Sequence, residues 1–184
     1  HVVEWKNRGE AIKAAANAAY PYLNGNVNFV VHDEGYYFKP SISWSEIGNS
    51  YPSFRSYDSG FTFNVKGMST FPKSKEDEGY LLAWLNSKIV QEVASAINPT
   101  ISFGTNNFKT IPNGTIKNET LKNTVTKLLS FARLDWNSLE TSWDFRTFPL
   151  LSSDYRGANM AETYAKLRSH WQSMTDEMQR LEEE

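Results

Sequence analysis

The sequence predicts an α+β fold, in which a β-rich middle packs with flanking helices and a long helix closes the chain. Residues 27–71 consist of short β-branched and aromatic runs separated by turn residues, a pattern typical of strands. Apolar residues recur at steps of three and four in residues 80–97 and 160–181, as in amphipathic helices. With 184 residues, of which 40% are hydrophobic and 14% aromatic, the chain can bury one sizeable core.

The beginning of the chain predicts one helix. Residues 9–20 are rich in alanine, the strongest helix former, and Pro21 ends this stretch.

The middle of the chain predicts five or six strands, arranged as a meander or a partly closed barrel. Residues 61–65 alternate between aromatic or aliphatic and polar side chains, which indicates one buried and one presented face. Turns are predicted at residues 33–35, 48–50 and 58–60 and at Gly67. The predicted strands are residues 27–31, 36–39, 41–44, 54–57, 61–65 and 68–71.

Three further helices are predicted after the sheet. Steps of four from Leu81 to Ile97 predict one amphipathic helix that covers the sheet and ends at Asn98-Pro99. Residues 101–103 are predicted to return as a strand. A second helix is predicted at 118–134, followed by an irregular, Trp-rich connector. The last helix runs from about residue 159 to the end, and we expect its apolar stripe to dock on another helix. That stripe contains Met160, Tyr164, Leu167, Trp171, Met174, Met178 and Leu181.

This order of elements predicts a β-rich domain at residues 1–116 and a helical region at 117–184. The net charge is −2, but residues 36–75 carry five basic and only two acidic side chains. The first residue is not Met, and the sequence stops within a helical pattern. We therefore expect a fragment of a longer protein.

Several kinds of chemistry have no motif in the sequence. Cysteine is absent and the three histidines have no metal-binding spacing, so no metal site is predicted. Neither a glycine-rich nucleotide turn nor a GxSxG elbow occurs. No apolar run is long enough to span a membrane and no secretion signal is present, so we expect a cytoplasmic location and no membrane partner.

The turn Asn98-Pro99-Thr100-Ile101 resembles a catalytic motif only in part. Amino-methyltransferases that flip a base use Asn- or Asp-Pro-Pro followed by an aromatic residue, which stacks on that base. Here Thr100 and Ile101 replace the second proline and the aromatic residue. We therefore predict no catalytic residue and no cofactor-binding residue in this chain.

The β region and the segment after Asn98 hold the side chains suited to reading DNA. Arginine and asparagine pair with base edges, whereas lysine and serine hold phosphates. We predict that Arg55 and either Asn106 or Asn107 contact base edges, and that Tyr57 packs or stacks. The predicted phosphate contacts are Lys39, Ser43, Lys66 and Lys109.

A structural role for the same residues is the competing interpretation. In that case Arg55 forms an ion pair with Asp58 or Glu46, and the two asparagines only cap a turn.

A series of short motifs, taken in order, resembles a known family. The first are Trp5-Lys6-Asn7-Arg8-Gly9-Glu10-Ala11-Ile12-Lys13, Tyr36-Tyr37-Phe38-Lys39, Ile42-Ser43-Trp44-Ser45 and Gly60-Phe61-Thr62-Phe63-Asn64-Val65-Lys66-Gly67. The later ones are Leu81-Leu82-Ala83-Trp84-Leu85-Asn86-Ser87-Lys88, Asn98-Pro99-Thr100-Ile101-Ser102-Phe103, Ile111-Pro112 and Asp135-Trp136-Asn137-Ser138-Leu139-Glu140-Thr141-Ser142-Trp143-Asp144-Phe145. Together they are similar to the C-terminal part of PglX-type adenine-specific DNA methyltransferases of bacteriophage-exclusion (BREX) systems, and to related type IIG restriction–modification enzymes.

The resemblance implies a division of labour within a longer protein. A catalytic, Rossmann-like domain that binds S-adenosylmethionine would lie N-terminal to His1, outside this chain. The chain itself would be the target-recognition region, with double-stranded DNA and that catalytic domain as partners.

Two other classes of function stay open at this point. A non-enzymatic binding module, for carbohydrate or as a protein scaffold, would also explain the many Trp and Tyr residues. A self-contained enzyme is the third alternative. Salt dependence separates the first two classes, because affinity for phosphates falls steeply with ionic strength and sugar stacking does not.

Overall fold

The computed structural model describes residues 2–48, 51–114 and 116–183 and divides the chain into two compact units. These units are residues 1–116 and 117–184. The predicted turn at 48–50 lies partly outside the described residues. Within the described ranges, no helix combines the length and the apolarity needed to cross a membrane.

Among its described residues, the first unit contains a small sheet and four α-helices. The strands are β1 (Ser41–Ser45), β2 (Arg55–Tyr57) and β3 (Gly67–Thr70). The helices are α1 (Glu10–Ala19), α2 (Lys75–Asn86), α3 (Lys88–Ile97) and α4 (Thr105–Thr110). Short 3₁₀ helices are formed by Lys6–Arg8, Pro21–Leu23, Val27–Phe29 and Glu34–Tyr36.

The α+β class is confirmed, but the predicted sheet is wrong in size and topology. The three described strands are antiparallel in the order β2-β1-β3, so β1 lies in the centre and the sheet is open. A meander would place the strands in chain order, and a partly closed barrel would need more of them.

Local turn chemistry explains why three predicted strands do not form. Val27–Phe29 and Glu34–Tyr36 form 3₁₀ helices where strands were predicted. In addition, Asp33 and Phe38 have positive φ angles, which are incompatible with a β-strand. Within 61–65, the Asn64 side chain accepts hydrogen bonds from the backbone N–H groups of Lys66 and Gly67 at 2.9 Å. These backbone N–H groups therefore bond the Asn64 side chain in a turn and not a neighbouring strand. The predicted strand at 101–103 is reduced to one bridge between Ile47 and Ser102.

The predicted helix at 80–97 is two helices, because Ser87 interrupts it. Ser87 has an extended backbone, and its hydroxyl accepts a hydrogen bond from the N–H of Val90 at 3.3 Å, capping α3. The break changes the buried face, so Val90 and Ala94 are buried while Ile89 is 61% exposed. The predicted end of this helical segment before Asn98-Pro99 is confirmed.

One face of the sheet carries the core of the first unit. Ile42 and Trp44 of β1 are buried, and α2 packs against β1 and β2. The Asn86 side chain at the end of α2 bonds both the N–H and the C=O of Phe54, at 3.1 and 3.0 Å. Helix α4 reaches the same face, since the Phe108 ring stacks on Trp44 at a centroid distance of 4.6 Å.

The second unit is built on a helix pair, α5 (Glu119–Trp136) and α6 (Met160–Glu183), with 3₁₀ turns at Pro149–Leu151 and Ser153–Tyr155 between them. The stripe of α6 docks on α5 and on these turns, as predicted, and buries Leu167, Met174 and Leu181. Met160 and Tyr164, also placed in that stripe by the sequence, are more than half exposed.

Candidate nucleic-acid interface

The second face of the sheet is polar, and the strand register defines its residues. Ser43 lies opposite Arg55 on β2 and Ser69 on β3, and Ser41 lies opposite Tyr57. Side chains opposite one another in a ladder point to the same face. We call this the polar face; it consists of Ser41, Ser43, Ser45, Arg55, Tyr57 and Ser69.

A pocket of about 380 Å³ lies over the β1–β3 side of the polar face. Its floor contains Ser41, Ser43 and Ser69, and Lys39 and Tyr57 also line it. We call it the aromatic pocket, because rings from four other segments of the first unit surround this floor. They are Trp5, Tyr37, Phe61, Phe63 and Phe71.

The rings of the aromatic pocket hold one another in edge-to-face or tilted contacts. The centroid distances are 5.0 Å for Trp5 and Tyr37, 5.2 Å for Tyr37 and Phe63, and 5.4 Å for Phe63 and Phe71. Burial, aided by the nearby negative charges of Glu34 and Asp33, raises the pKa of the Tyr37 phenol. Tyr37 is therefore a neutral phenol at physiological pH.

A second pocket, of about 540 Å³, lies where β1 leaves the sheet. We call it the Arg55 pocket. It combines the Arg55 side chain with Ser45 and Glu46 of the sheet and with the turn after α3. In that turn, the Asn98 amide oxygen accepts hydrogen bonds from the N–H and hydroxyl of Thr100, at 3.2 and 2.7 Å. Asn98 thus has a structural role as a turn former.

Arg55 is exposed and takes part in none of the ion pairs found among the described residues. Both acids that could have paired with it have other partners. Glu46 pairs with Lys66, and Asp58 accepts from Lys75 at 3.0 Å. The hydrogen bond from Lys66 lowers the pKa of Glu46, and the hydrogen bond to Asp58 raises the pKa of Lys75. The structural interpretation of Arg55 as an ion-pair partner of either acid therefore does not apply.

Four of the eight predicted site residues gather around the polar face. Ser43, Arg55 and Tyr57 belong to it, and Lys39 lines the aromatic pocket beside them. The ammonium group of Lys39 lies 4.8 Å from the centroid of the exposed Tyr36 ring. Lys66 is close by in sequence, immediately before β3, but its ammonium group is bonded to Glu46.

The other three predicted residues are on α4, on the opposite side of the sheet. Trp44 alternates with Ser43 and Ser45 along β1, and α4 packs on the Trp44 side through Phe108. Asn106 and Lys109 are exposed there. The Asn107 side chain instead accepts a hydrogen bond from the N–H of Gly104 at 3.0 Å, so it caps the start of α4.

Sequence reasoning missed Ser69 and the ring wall formed by Trp5, Tyr37 and Phe63. The signal for the polar face was present in Ser41-Ile42-Ser43-Trp44-Ser45, where serines alternate with large apolar residues. No sequence signal places Trp5 beside Tyr37, because that contact joins segments that are far apart in the chain. Among the described residues, no cluster of His, Cys, Asp or Glu could hold a metal ion.

Comparison with known proteins relates the chain to one part of two large enzymes. It is 30% identical, over 153 residues, to the adenine-specific methyltransferase PglX of Lacticaseibacillus casei (strain Zhang). It is 28% identical, over 148 residues, to the adenine-specific methyltransferase BrxX of Escherichia coli O9:H4 (strain HS). The matches cover 83% and 79% of this chain. No family model matches the chain.

The matched region is a small part of each relative. The chain spans about 12% of the length of both methyltransferases. The similarity therefore relates this chain to a segment of adenine-specific methyltransferases, and the role of that segment has to be argued from its own residues.

Proposed function

We propose that this chain is the DNA target-recognition segment of an adenine-specific DNA methyltransferase, and that it reads duplex DNA with the polar face of its sheet. The observation that carries the proposal is the state of Arg55. Its guanidinium group is exposed on this face, while Glu46 and Asp58 are paired with lysines.

An exposed, unpaired arginine suits base reading. The guanidinium fork donates two parallel hydrogen bonds to the O6 and N7 acceptors of guanine in the major groove. An intramolecular ion pair would have to be broken before such a contact could form, and Arg55 has none within the described part of the chain. Arg55 can therefore bind a base without first losing the free energy of an intramolecular ion pair.

The surroundings of Arg55 add phosphate and hydroxyl contacts. Lys39 presents an exposed ammonium group on the same side of the sheet, suited to a phosphate. Serine hydroxyls along β1 can donate to or accept from the DNA backbone. In the proposal Arg55 therefore specifies the base and Lys39 fixes the position of the duplex, whereas Ser43 lies deeper, on the floor of the aromatic pocket.

The residues of α4 and Lys66 have a secondary place in this proposal. Asn106 and Lys109 are exposed and are retained as predicted DNA contacts on the far side of the sheet. Asn107 would have to give up its bond to Gly104 in order to read a base, and Lys66 would have to leave Glu46. We therefore rank both below Arg55.

Methyl transfer is assigned to other parts of the longer protein. The chain contains no glycine-rich turn of the kind that holds a nucleotide cofactor, and its Asn98-Pro99 turn lacks the stacking aromatic residue. We propose that the S-adenosylmethionine site and the catalytic domain lie outside these residues.

The proposal is tested by selection from a randomised DNA duplex library with the 184-residue chain. We expect one enriched sequence, and we expect Arg55→Ala to lose preference at one position of it, at a cost of about 1–3 kcal/mol. The matched control is Arg168→Ala, which removes the same charge from an exposed position on α6. It should leave the enriched sequence unchanged.

Two results would overturn the proposal. One is the absence of any enriched sequence in a folded chain. The other is a selection in which Arg55→Ala leaves both affinity and sequence preference intact. Affinity for an oligosaccharide that is insensitive to salt, without affinity for DNA, would favour the carbohydrate-binding alternative instead.

A further inference from the structure

The aromatic pocket has a floor whose hydrogen-bonding groups are largely unused. Within the described part of the chain, the hydroxyls of Ser41 and Ser69 make no hydrogen bond, although Ser41 is only 7% exposed. Ser43 donates to the carbonyl of Met68 at 2.8 Å, which leaves its oxygen free to accept. These hydroxyls line the pocket, so the floor is suited to a ligand with donors and acceptors along one edge.

The walls are suited to a flat ring. Tyr37 contacts both Trp5 and Phe63 edge to face, so these rings hold one another in place. A ring fixed in this way loses little conformational freedom when a planar ligand packs against it. Stacking on aromatic side chains is the usual way in which proteins hold unpaired bases.

The rim adds a positive charge. Lys39 lines the pocket and is itself exposed, and its ammonium group lies over the neighbouring exposed Tyr36 ring. The matching ligand therefore has a planar, hydrogen-bonding part and an attached anion. A neutral sugar could accept a hydrogen bond from Lys39 but would gain no charge–charge attraction from it.

The size of the pocket fits one nucleotide. Its volume of about 380 Å³ lies near the lower end of the range for small-molecule pockets. A base that has left the stack can enter a space of this size.

We propose that the aromatic pocket holds a single unstacked nucleotide. The base lies against the ring wall, its edge bonds the serine floor, and its phosphate meets Lys39. This inference rests on the proposed function and extends it, because it adds a site for an extrahelical base next to the face that reads the duplex.

The test is an NMR titration of the 184-residue chain with the four deoxynucleoside monophosphates, the four matching deoxynucleosides and cellobiose. We expect at least one nucleotide to give saturable shifts at Ser41, Ser43 and Ser69. The matching nucleoside should bind more weakly, and cellobiose should give no shifts at these residues.

Two variants separate the parts of the pocket. Ser69→Val keeps a residue that favours strands but removes the hydroxyl and narrows the pocket, so we expect about a fivefold or larger loss of nucleotide affinity. Lys39→Ala should weaken nucleotide binding several-fold and leave nucleoside binding unchanged. The control is Ser95→Ala, which alters the Arg55 pocket and should leave the nucleotide titration as it is.

Three outcomes would overturn this inference. The first is that no nucleotide gives saturable shifts. The second is that Ser69→Val leaves nucleotide binding unchanged. The third is that cellobiose binds saturably at these residues and nucleotides do not. If duplex selection succeeds while the nucleotide titration fails, the aromatic pocket has no such role and the proposed function stands. If nucleotides bind while selection fails, the pocket is real but the duplex-reading face is not.

Discussion

The two faces of the small sheet differ in nearly every physical respect, although the same strands form both. On one face, Ile42 and Trp44 are buried under α2 and α4. On the other face, serines alternate with them, and Arg55 is exposed at the margin. The comparison shows a three-stranded sheet with its core on one side and, on the other, the polar side chains to which we assign recognition. Because successive side chains of a strand point to opposite faces of the sheet, the same few residues can supply both faces.

The contacts of the two faces follow the same division. Trp44 on the core face contacts Phe54 and Phe108 and donates from Nε1 to the carbonyl of Phe103 at 3.0 Å. On the polar face, Ser43 makes one hydrogen bond and Arg55 takes part in no ion pair within the described ranges. A substitution on the core face should therefore affect unfolding, and one on the polar face should affect binding.

The largest expected effect is on the core face. Trp44→Ala removes the stacked ring and the bond to Phe103, so we expect the free energy of unfolding to fall by about 3–5 kcal/mol, measured by denaturant titration. Ser45→Ala, on the polar face of the same strand, should change it by less than about 0.5 kcal/mol. Equal effects of the two variants would break the comparison.

The next effect concerns the attachment of α2 to the sheet. Asn86→Ala leaves the N–H and C=O of Phe54 without their partner, so we expect a loss of about 1–3 kcal/mol in the free energy of unfolding. The denaturation midpoint measures this loss. A midpoint equal to that of the unaltered chain would show that this bond does not hold the core face in place.

The smallest expected change in stability comes from the ion pair between Lys66 and Glu46, at the edge of the polar face. The Lys66 hydrogen bond lowers the pKa of Glu46 from 4.5, so the pair stabilises the fold above that pH. This contribution is lost as the pH falls from about 4.5 through the lowered folded value. In Lys66→Ala, a carboxyl NMR titration should show the pKa of Glu46 moving up toward 4.5, with no such change in Lys88→Ala. An unchanged titration in Lys66→Ala would rule out this pairing in solution.

Part of this arrangement could be predicted from sequence, because it depends on local periodicity. The alternation in residues 41–45 places β1 to within one residue, and the alanine-rich run places α1. In residues 61–65 the same alternation is misleading, because Phe61 and Phe63 line a pocket while Asn64 forms a turn. An alternating pattern shows which side chains face inward but does not supply a pairing strand.

The division of the predicted site could not be found from sequence. Asn106 and Lys109 lie on the core side because Phe108 stacks on Trp44, a contact between residues far apart in the chain. Within the described part of the chain Arg55 has no ion pair, because Glu46 and Asp58 pair with lysines, and composition alone does not predict which partner each acid takes.

The central claim is that Arg55 on the polar face reads a base. The most direct test compares the unaltered chain with Arg55→Lys and Arg55→Ala on the duplex enriched by selection, over a range of salt concentrations. Lysine keeps the charge but not the planar fork. We therefore expect Arg55→Lys to keep the salt dependence of binding yet lose the preference at one base position, at a cost of about 1–3 kcal/mol. If the Arg55→Lys chain has the same affinity and the same base preference as the unaltered chain, Arg55 contributes only a positive charge that attracts the DNA backbone, and the account is wrong.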